Sequence, residues 1–464
     1  MPKTSATMMQ QKQSGRGGQK LGLISCVAFA VGSMVGGGVF AMAGVAVNMA
    51  GPGALLAYLL AGIVVGFSAL SFAVVASRAP EGESGYTPVG VELGQIWQFI
   101  TMWAFYVSTV TAVAFMLIAF GNYLQYFFSS VDALLVALVG LLALVLLNLT
   151  SVGVIGKAES LMVGFKLLVL FAMIGFGLAA FSGERLTPFF PKGEMPVLST
   201  AAMLFSAYLG FSVITNMAGV VKNPQKTVPR ALMLSIGVVA VVYIGITFAL
   251  LMADVGDLGD AGLAKAAEVL MGKWGAWLVA LAACISTLSG SNATLLGVSE
   301  LMIGMAAKGY VPSFMGRMSR AGHAQMSVLI AGAVACVLML TGDIASIITY
   351  CSVAGIWALI MMDITACRIA WKRWGPIGLR LPFGGLIPAL AAIAAAAQLP
   401  SLGWEQVLIG TAMVAAGFLI YALRHRSDPK ERETTQAQIA AQQTPLLRHV
   451  QGAQAAEHDR GAAS

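Results

Sequence analysis

Apolar residues along this chain come in long unbroken runs, not at the spacing of an amphipathic helix or a half-buried strand. Twelve runs can be marked, at about 21–46, 52–76, 95–120, 133–150, 157–181, 197–220, 230–252, 275–306, 327–341, 345–368, 384–399 and 405–423. A helix needs roughly 20 mostly apolar residues to cross the hydrocarbon core of a bilayer. The pattern therefore predicts an all-α membrane protein with twelve transmembrane helices, the ninth and eleventh short. Residues 1–20 and 424–464 are polar and are expected as tails on either side of one membrane domain, 21–423.

Two of the runs are poorly made as helices. The first contains "VGSMVGGGVF", Val31 to Phe40, with Gly32, Ser33 and then Gly36, Gly37 and Gly38 in succession. Each glycine disfavours a helix by about 1 kcal/mol relative to alanine. The sixth contains "SAYLGFSVITN", where Gly210 is surrounded by Ser206, Ser212, Thr215 and Asn216. Each of these runs opens a block of five, and because five is odd the two blocks have opposite orientation. Two interrupted helices at matching places of inverted halves point to a solute site at the bilayer midplane. The expected architecture is thus a five-plus-five inverted repeat, with helices one and six broken, plus two extra helices.

Unwound backbone inside a membrane is tolerated only where it lines a cavity. The half-helix resuming after Gly36–Gly38 offers N–H groups and a positive dipole end, which suit a carboxylate. Carbonyls near Ser33 and Met34, and those from Phe205 to Leu209, are expected to take an ammonium group. Glycine also lets a solute approach the backbone closely.

Composition agrees with the runs: 58% of residues are hydrophobic, 10% are charged, and the mean hydropathy is +0.84. Charge adds orientation. Lys and Arg are concentrated in every second loop and in both tails, which predicts that both termini are cytoplasmic. The net charge of +7 follows from that bias and suits an anionic inner leaflet, not nucleic acid. The five cysteines are scattered through apolar runs without ligand spacing, and the four histidines fall in loops or the C-terminal tail. With no phosphate-binding loop either, neither a cofactor nor an ATP-driven pump is expected.

Lys166 is the one ionisable residue near mid-depth, roughly 14 Å along its helix from the cytoplasmic end. Charges inside membranes are costly and mark function, so Lys166 is a candidate for proton coupling. Glu300 and Asp363 fall near the cytoplasmic ends of runs eight and ten and are expected in solvated or paired roles. Tyr106 and Tyr208 are candidates for face-on contact with a cationic side chain.

The stretches "GSMVGGGVF", "GESGYTPV", "MAGVVKNPQKTVPRA" and "LSGSNATLLGVSELMIGMAAKGYVP", in this order, resemble the amino acid–polyamine–organocation superfamily. Within it, "AGVVKNP" looks most like the basic amino-acid and arginine/agmatine antiporters. The resemblance implies substrate-carboxylate contacts at Gly37 and Gly38, an ammonium-binding carbonyl near Met34, and pocket positions at Ser108 and Thr109. The tryptophan and glutamate by which the arginine antiporters recognise their substrate in helix six are matched by Ser206 and Ser212. Their guanidinium-stacking tryptophan in helix eight falls near Asn292 or Ala293. The half of the site that recognises an amino-acid backbone matches, and the guanidinium half does not. A lysine in helix five of some such permeases stands where sodium-coupled relatives bind sodium, a place matched by Lys166.

The resulting expectation is a bacterial inner-membrane transporter of an L-amino acid, working by alternating access as an exchanger or with proton coupling. A homodimer is a candidate assembly. A polyamine or arginine/agmatine exchanger is the rival within the superfamily. A channel is distinguished by flux without counterflow, and a membrane-embedded enzyme by intramembrane acid–base pairs.

Overall fold

The computed structural model describes residues 22–78, 85–150, 156–212, 221–222, 224–256, 258–259, 261–316, 325–372, 379–381 and 383–427. The tail 1–20, the tail beyond Ser427, and Thr215, Asn216, Gly219 and Val220 lie outside these residues.

Regular structure among the described residues is helical. The first apolar run divides into α1 (Leu23–Met34) and α2 (Gly38–Ala50), and a 3-10 turn then leads into α3 (Ala54–Ala76). Next come the short α4 (Thr87–Leu93), then α5 (Gln95–Phe127), α6 (Ala133–Thr150) and α7 (Gly156–Ala179). The sixth run begins as α8 (Met195–Leu204) and tightens into a 3-10 segment, Phe205–Phe211. The remainder is α9 (Pro224–Ala253), α10 (Gly262–Ala307), α11 (Gln325–Thr341), α12 (Ile344–Trp371), α13 (Leu386–Gln398) and α14 (Trp404–Ser427).

Among the described residues, seven helical stretches are long and apolar enough to cross a membrane, and five shorter apolar helices accompany them. These stretches differ in how much they hide. In α5, 78% of the apolar window is inside the protein, whereas in α14 the share is 17%. Exposed leucines cost little against lipid tails, so burial here marks contact between helices. The helix α5 is therefore the central pillar, with α10 and α12 packed along it, and α14 sits at the rim. At the ends of spans, Trp274, Trp371 and Trp404 stand out in the open, as interface-seeking tryptophans do.

The helices depart from the apolar pattern in three places. The segment Gly262–Met271 is helical although it carries Lys265 and Glu268, because Leu263, Ala264, Ala266 and Ala267 are buried against the rest of the protein. The helix α10 turns sharply at Gly272, whose φ of 74° suits glycine. The helix α5 continues to Phe127 and α14 to Ser427, past the expected ends of their runs.

At the centre, α1 lies on α9 and on the 3-10 segment, while α12 and α3 pack against that same segment. The two interrupted helices thus meet in the middle of the protein.

Candidate functional site

An α-helix broken in mid-course leaves carbonyls and N–H groups unpaired. In the first break the two sets meet different fates. The Gly36 N–H turns back to the Ser33 carbonyl at 3.3 Å instead of reaching Gly32. The Gly32 carbonyl accepts from Lys166 Nζ at 2.9 Å. The Met34 carbonyl accepts from the Tyr243 hydroxyl at 2.7 Å. Ser286 on α10 offers its hydroxyl to the carbonyls of Val35 (3.1 Å) and Gly36 (2.6 Å). Every carbonyl from Gly32 to Gly36 therefore has a donor from the protein.

The N–H groups are treated otherwise. The helix α2 starts with Gly37 as its cap residue and without a side-chain cap. Among the described residues, no acceptor from another element meets the amides from Gly37 to Phe40. The break presents donors at the positive end of a helix, an arrangement that favours an anion. The Ser33 and Met34 carbonyls each carry one donor from the protein, so the second lone pair of each oxygen is what remains for an ammonium group.

None of Gly36, Gly37 and Gly38 has a positive φ. What they supply is closeness. A Cβ on Gly36 would sit 3.5 Å from the Gly290 Cα, and one on Gly38 would sit 2.7 Å from the Tyr243 hydroxyl. A Cβ on Gly37 would collide with the side chain of Met116, which reaches over from α5 and also touches Gly290.

The second break is a run of 3-10 turns in which hydroxyls again take up carbonyls. Tyr243 donates to Ala207 O (3.0 Å) as well as to Met34 O, so one hydroxyl joins the two broken helices. Ser206 donates to Met203 O (3.0 Å) and Ser212 to Leu209 O (3.2 Å). Leu209 is half-buried and packs its Cδ1 against Gly355 of α12. Gly210 rests directly on the backbone of Ser33 and Met34.

The other expected site residues separate into two groups. Ser108 stays near the breaks, donating to Cys351 O at 2.9 Å across α5 and α12, and Thr109 bonds to Phe105 O on its own helix. Tyr208 is fully buried and donates to Tyr58 O at 3.0 Å, with its ring against Tyr243. Tyr106 is buried and stacked on Trp103 at 15°. Asn292 accepts from Asn148 Nδ2 at 2.7 Å, so its amide faces α6. From α10 it is Ser286 and Gly290 that look onto the break. Tyr243, Ser286 and Met116 were missed because each lies in an unremarkable apolar stretch, and Gly290 because its polar neighbour Asn292 drew the assignment in the same stretch.

Lys166 is 3% exposed and reaches inward to Gly32 O, so it does not snorkel to the cytoplasmic surface. Asp363 also differs from expectation: it is completely buried, with Ser68 of α3 donating to its Oδ2 at 2.9 Å. Among the described residues no His, Cys, Asp or Glu cluster could hold a metal ion, and all five cysteines are free thiols.

The chain is similar in sequence to known transporters. The family model described as "Amino acid permease" matches residues 26–423. An uncharacterized transporter of Mycobacterium tuberculosis (strain ATCC 25618 / H37Rv) is 28% identical over 427 residues, covering 90% of this chain and 93% of that protein. A branched-chain amino acid permease of Bacillus subtilis (strain 168) is 24% identical over 442 residues, covering 89% of this chain and 94% of that protein. A methylthioribose transporter of the same organism is 24% identical over 456 residues, covering 90% and 96%. A chain matched by the family model over nearly all of its apolar length, with its broken helices in contact, belongs to the amino acid permease family of multi-pass membrane transporters and is not an enzyme.

Proposed function

We propose that this protein is a secondary transporter of a neutral L-amino acid, working by alternating access across a bacterial inner membrane with both termini cytoplasmic. The proposal includes twelve membrane helices, arranged as a five-plus-five inverted repeat with two extra helices. The observation that carries it is the asymmetry of the first break. Its carbonyls are held by Lys166, Tyr243 and Ser286, while the amides of Gly37 and Gly38 stand at an uncapped helix start. A carboxylate fits there and a polyamine does not.

The substrate's ammonium group then lies toward the 3-10 segment, among Ser206, Leu209 and Ser212. Its side chain lies toward Met116, whose flexible thioether can yield to aliphatic groups. No acidic residue occurs in α1, α2, α5, α8 or the 3-10 segment to recognise a guanidinium. That absence, with hydroxyls at Ser206 and Ser212, favours a neutral side chain over arginine or agmatine. The branched-chain permease of B. subtilis supports the same choice.

Lys166 is assigned to proton coupling. Its ammonium group ties α7 to the last turn of α1, and loss of the proton would release that tie and shift the balance between inward- and outward-open states. Exchange without net proton movement is the simpler cycle open to the same site.

The test is counterflow in proteoliposomes loaded with one amino acid and given another outside. Neutral L-amino acids are expected to exchange. Exchange confined to agmatine, putrescine or methylthioribose would overturn the reading.

A further inference from the structure

Asp363 lies in α12 eight residues before its end at Trp371, and Ser68 lies eight residues before the end of α3 at Ala76. Both are therefore about 12 Å inside the ends of their helices. The carboxyl group is shut off completely: its exposure is 0%, Oδ2 accepts from Ser68 across the α3–α12 contact, and Oδ1 has no partner. Ser71, also on α3, lies beside it with its hydroxyl bonded to Phe67 O on its own helix, and the Cys367 thiol lies one turn further along α12.

No described cation neutralises it. The helices α3, α5, α8 and α13 and the 3-10 segment, all packed on α12, contain no charged residue. Glu92 of α4 is bound to Lys372 at 2.7 Å. On α14 the charged residues stand at the two ends, Glu405 at one and Arg424 and Arg426 at the other, and Arg368 of α12 is exposed. An ionised carboxylate with one hydroxyl donor and no countercharge is far costlier to bury than a neutral acid.

We infer that Asp363 is a proton-binding group of the transport cycle, neutral while the α3–α12 contact is closed and ionised when that contact opens to cytoplasmic water. The proton rides on Oδ1, the oxygen Ser68 does not use, and leaves to water. No other bond changes. The α3–α12 contact is placed to move with transport because both helices also hold the second break. Tyr208 bonds to Tyr58 on α3, and Ser352 and Gly355 on α12 meet Met203 and Leu209. This group is separate from Lys166, which acts on the first break from α7.

The experiment has two arms, and only the second rests on the transport reading. Infrared spectra of the purified full chain at neutral pH are compared between wild type and Asp363→Asn. The expected difference is one protonated-carboxyl C=O band, absent from the variant and moved to higher frequency by Ser68→Ala, which removes its hydrogen bond. Absence of that band in wild type would mean an ionised Asp363 and would overturn the proposal. In the second arm, amino-acid counterflow is measured while the internal pH is varied. Asp363→Asn is expected to flatten the pH profile, Asp363→Glu to keep it, and Lys166→Ala to leave the infrared band intact. An unchanged profile in Asp363→Asn would also overturn the proposal. Failure of any amino acid to exchange would count against the transport reading alone, and the infrared arm would still decide this one.

Discussion

Gly210 and Met34 join the two interrupted helices back to back. A Cβ built on Gly210 falls 2.9 Å from the Met34 amide nitrogen and 3.0 Å from its Cα, with the Ser33 carbonyl carbon also at 3.0 Å. Backbone cannot step aside as a side chain can, so any side chain at position 210 must push the breaks apart. Gly37 has the opposite kind of neighbour, the flexible side chain of Met116. Gly210→Ala is therefore expected to lower thermal stability and abolish uptake, while Gly37→Ala stays folded and loses mainly substrate affinity. Thermal unfolding of the two purified variants, set beside uptake, checks the order.

Tyr243 serves two carbonyls with one proton, at 2.7 Å from Met34 O and 3.0 Å from Ala207 O. Tyr243→Phe removes that donor and leaves buried carbonyls unmet, a loss of about 1–3 kcal/mol. Because the two carbonyls belong to the two breaks, the loss should reach the substrate: apparent affinity in counterflow should weaken by roughly tenfold. An unchanged affinity with only a lowered melting temperature would make Tyr243 a packing residue.

Much of this was legible from glycine and apolar spacing alone. Gly36–Gly38 and Gly210 mark the breaks because consecutive glycines, or one glycine among hydroxyls, cannot be explained by helix stability. The partners of the freed carbonyls were not legible, since Tyr243, Ser286 and Met116 look like any other residue in an apolar run. Asn292 shows the converse. Its sequence position suggests the site, but helical rotation turns it to Asn148, and only Ser286 and Gly290, one turn apart, face the break. Asp363 looked like an end-of-helix carboxylate because its burial depends on α3, far away in sequence.

Lys166→Ala removes the donor to Gly32 O and a buried cation together. Exchange of internal for external amino acid is expected to survive. Accumulation driven by an imposed pH gradient should be lost. Equal gradient responses in the variant and wild type would leave Lys166 a structural tie between α7 and α1.

Asp343 begins α12 by accepting from the Ser346 amide at 3.1 Å. Partial burial pushes its pKa up, but hydrogen bonds from the Ser346 side chain and nearby backbone outweigh this and hold it below the usual carboxylate value. A carboxyl with a depressed folded pKa stabilises the protein above its unfolded pKa, and that stability is lost as pH falls through the folded value. Asp343→Ala should cost about 1 kcal/mol at neutral pH. The gap from wild type should close in acid, below about pH 4. A gap independent of pH, measured by thermal unfolding, would contradict the charged cap.

The central claim is that the uncapped start of α2, at Gly37 and Gly38, holds the carboxylate of an amino acid. The most direct measurement is competition binding to the purified protein by L-leucine and by isoamylamine, the amine with the same side chain and no carboxylate, repeated on Gly37→Ala, whose added methyl meets only the flexible Met116 side chain. Leucine is expected to compete, isoamylamine is not, and Gly37→Ala should weaken leucine binding while remaining folded. Equal competition by the amine, or full leucine binding by Gly37→Ala, would contradict the carboxylate site.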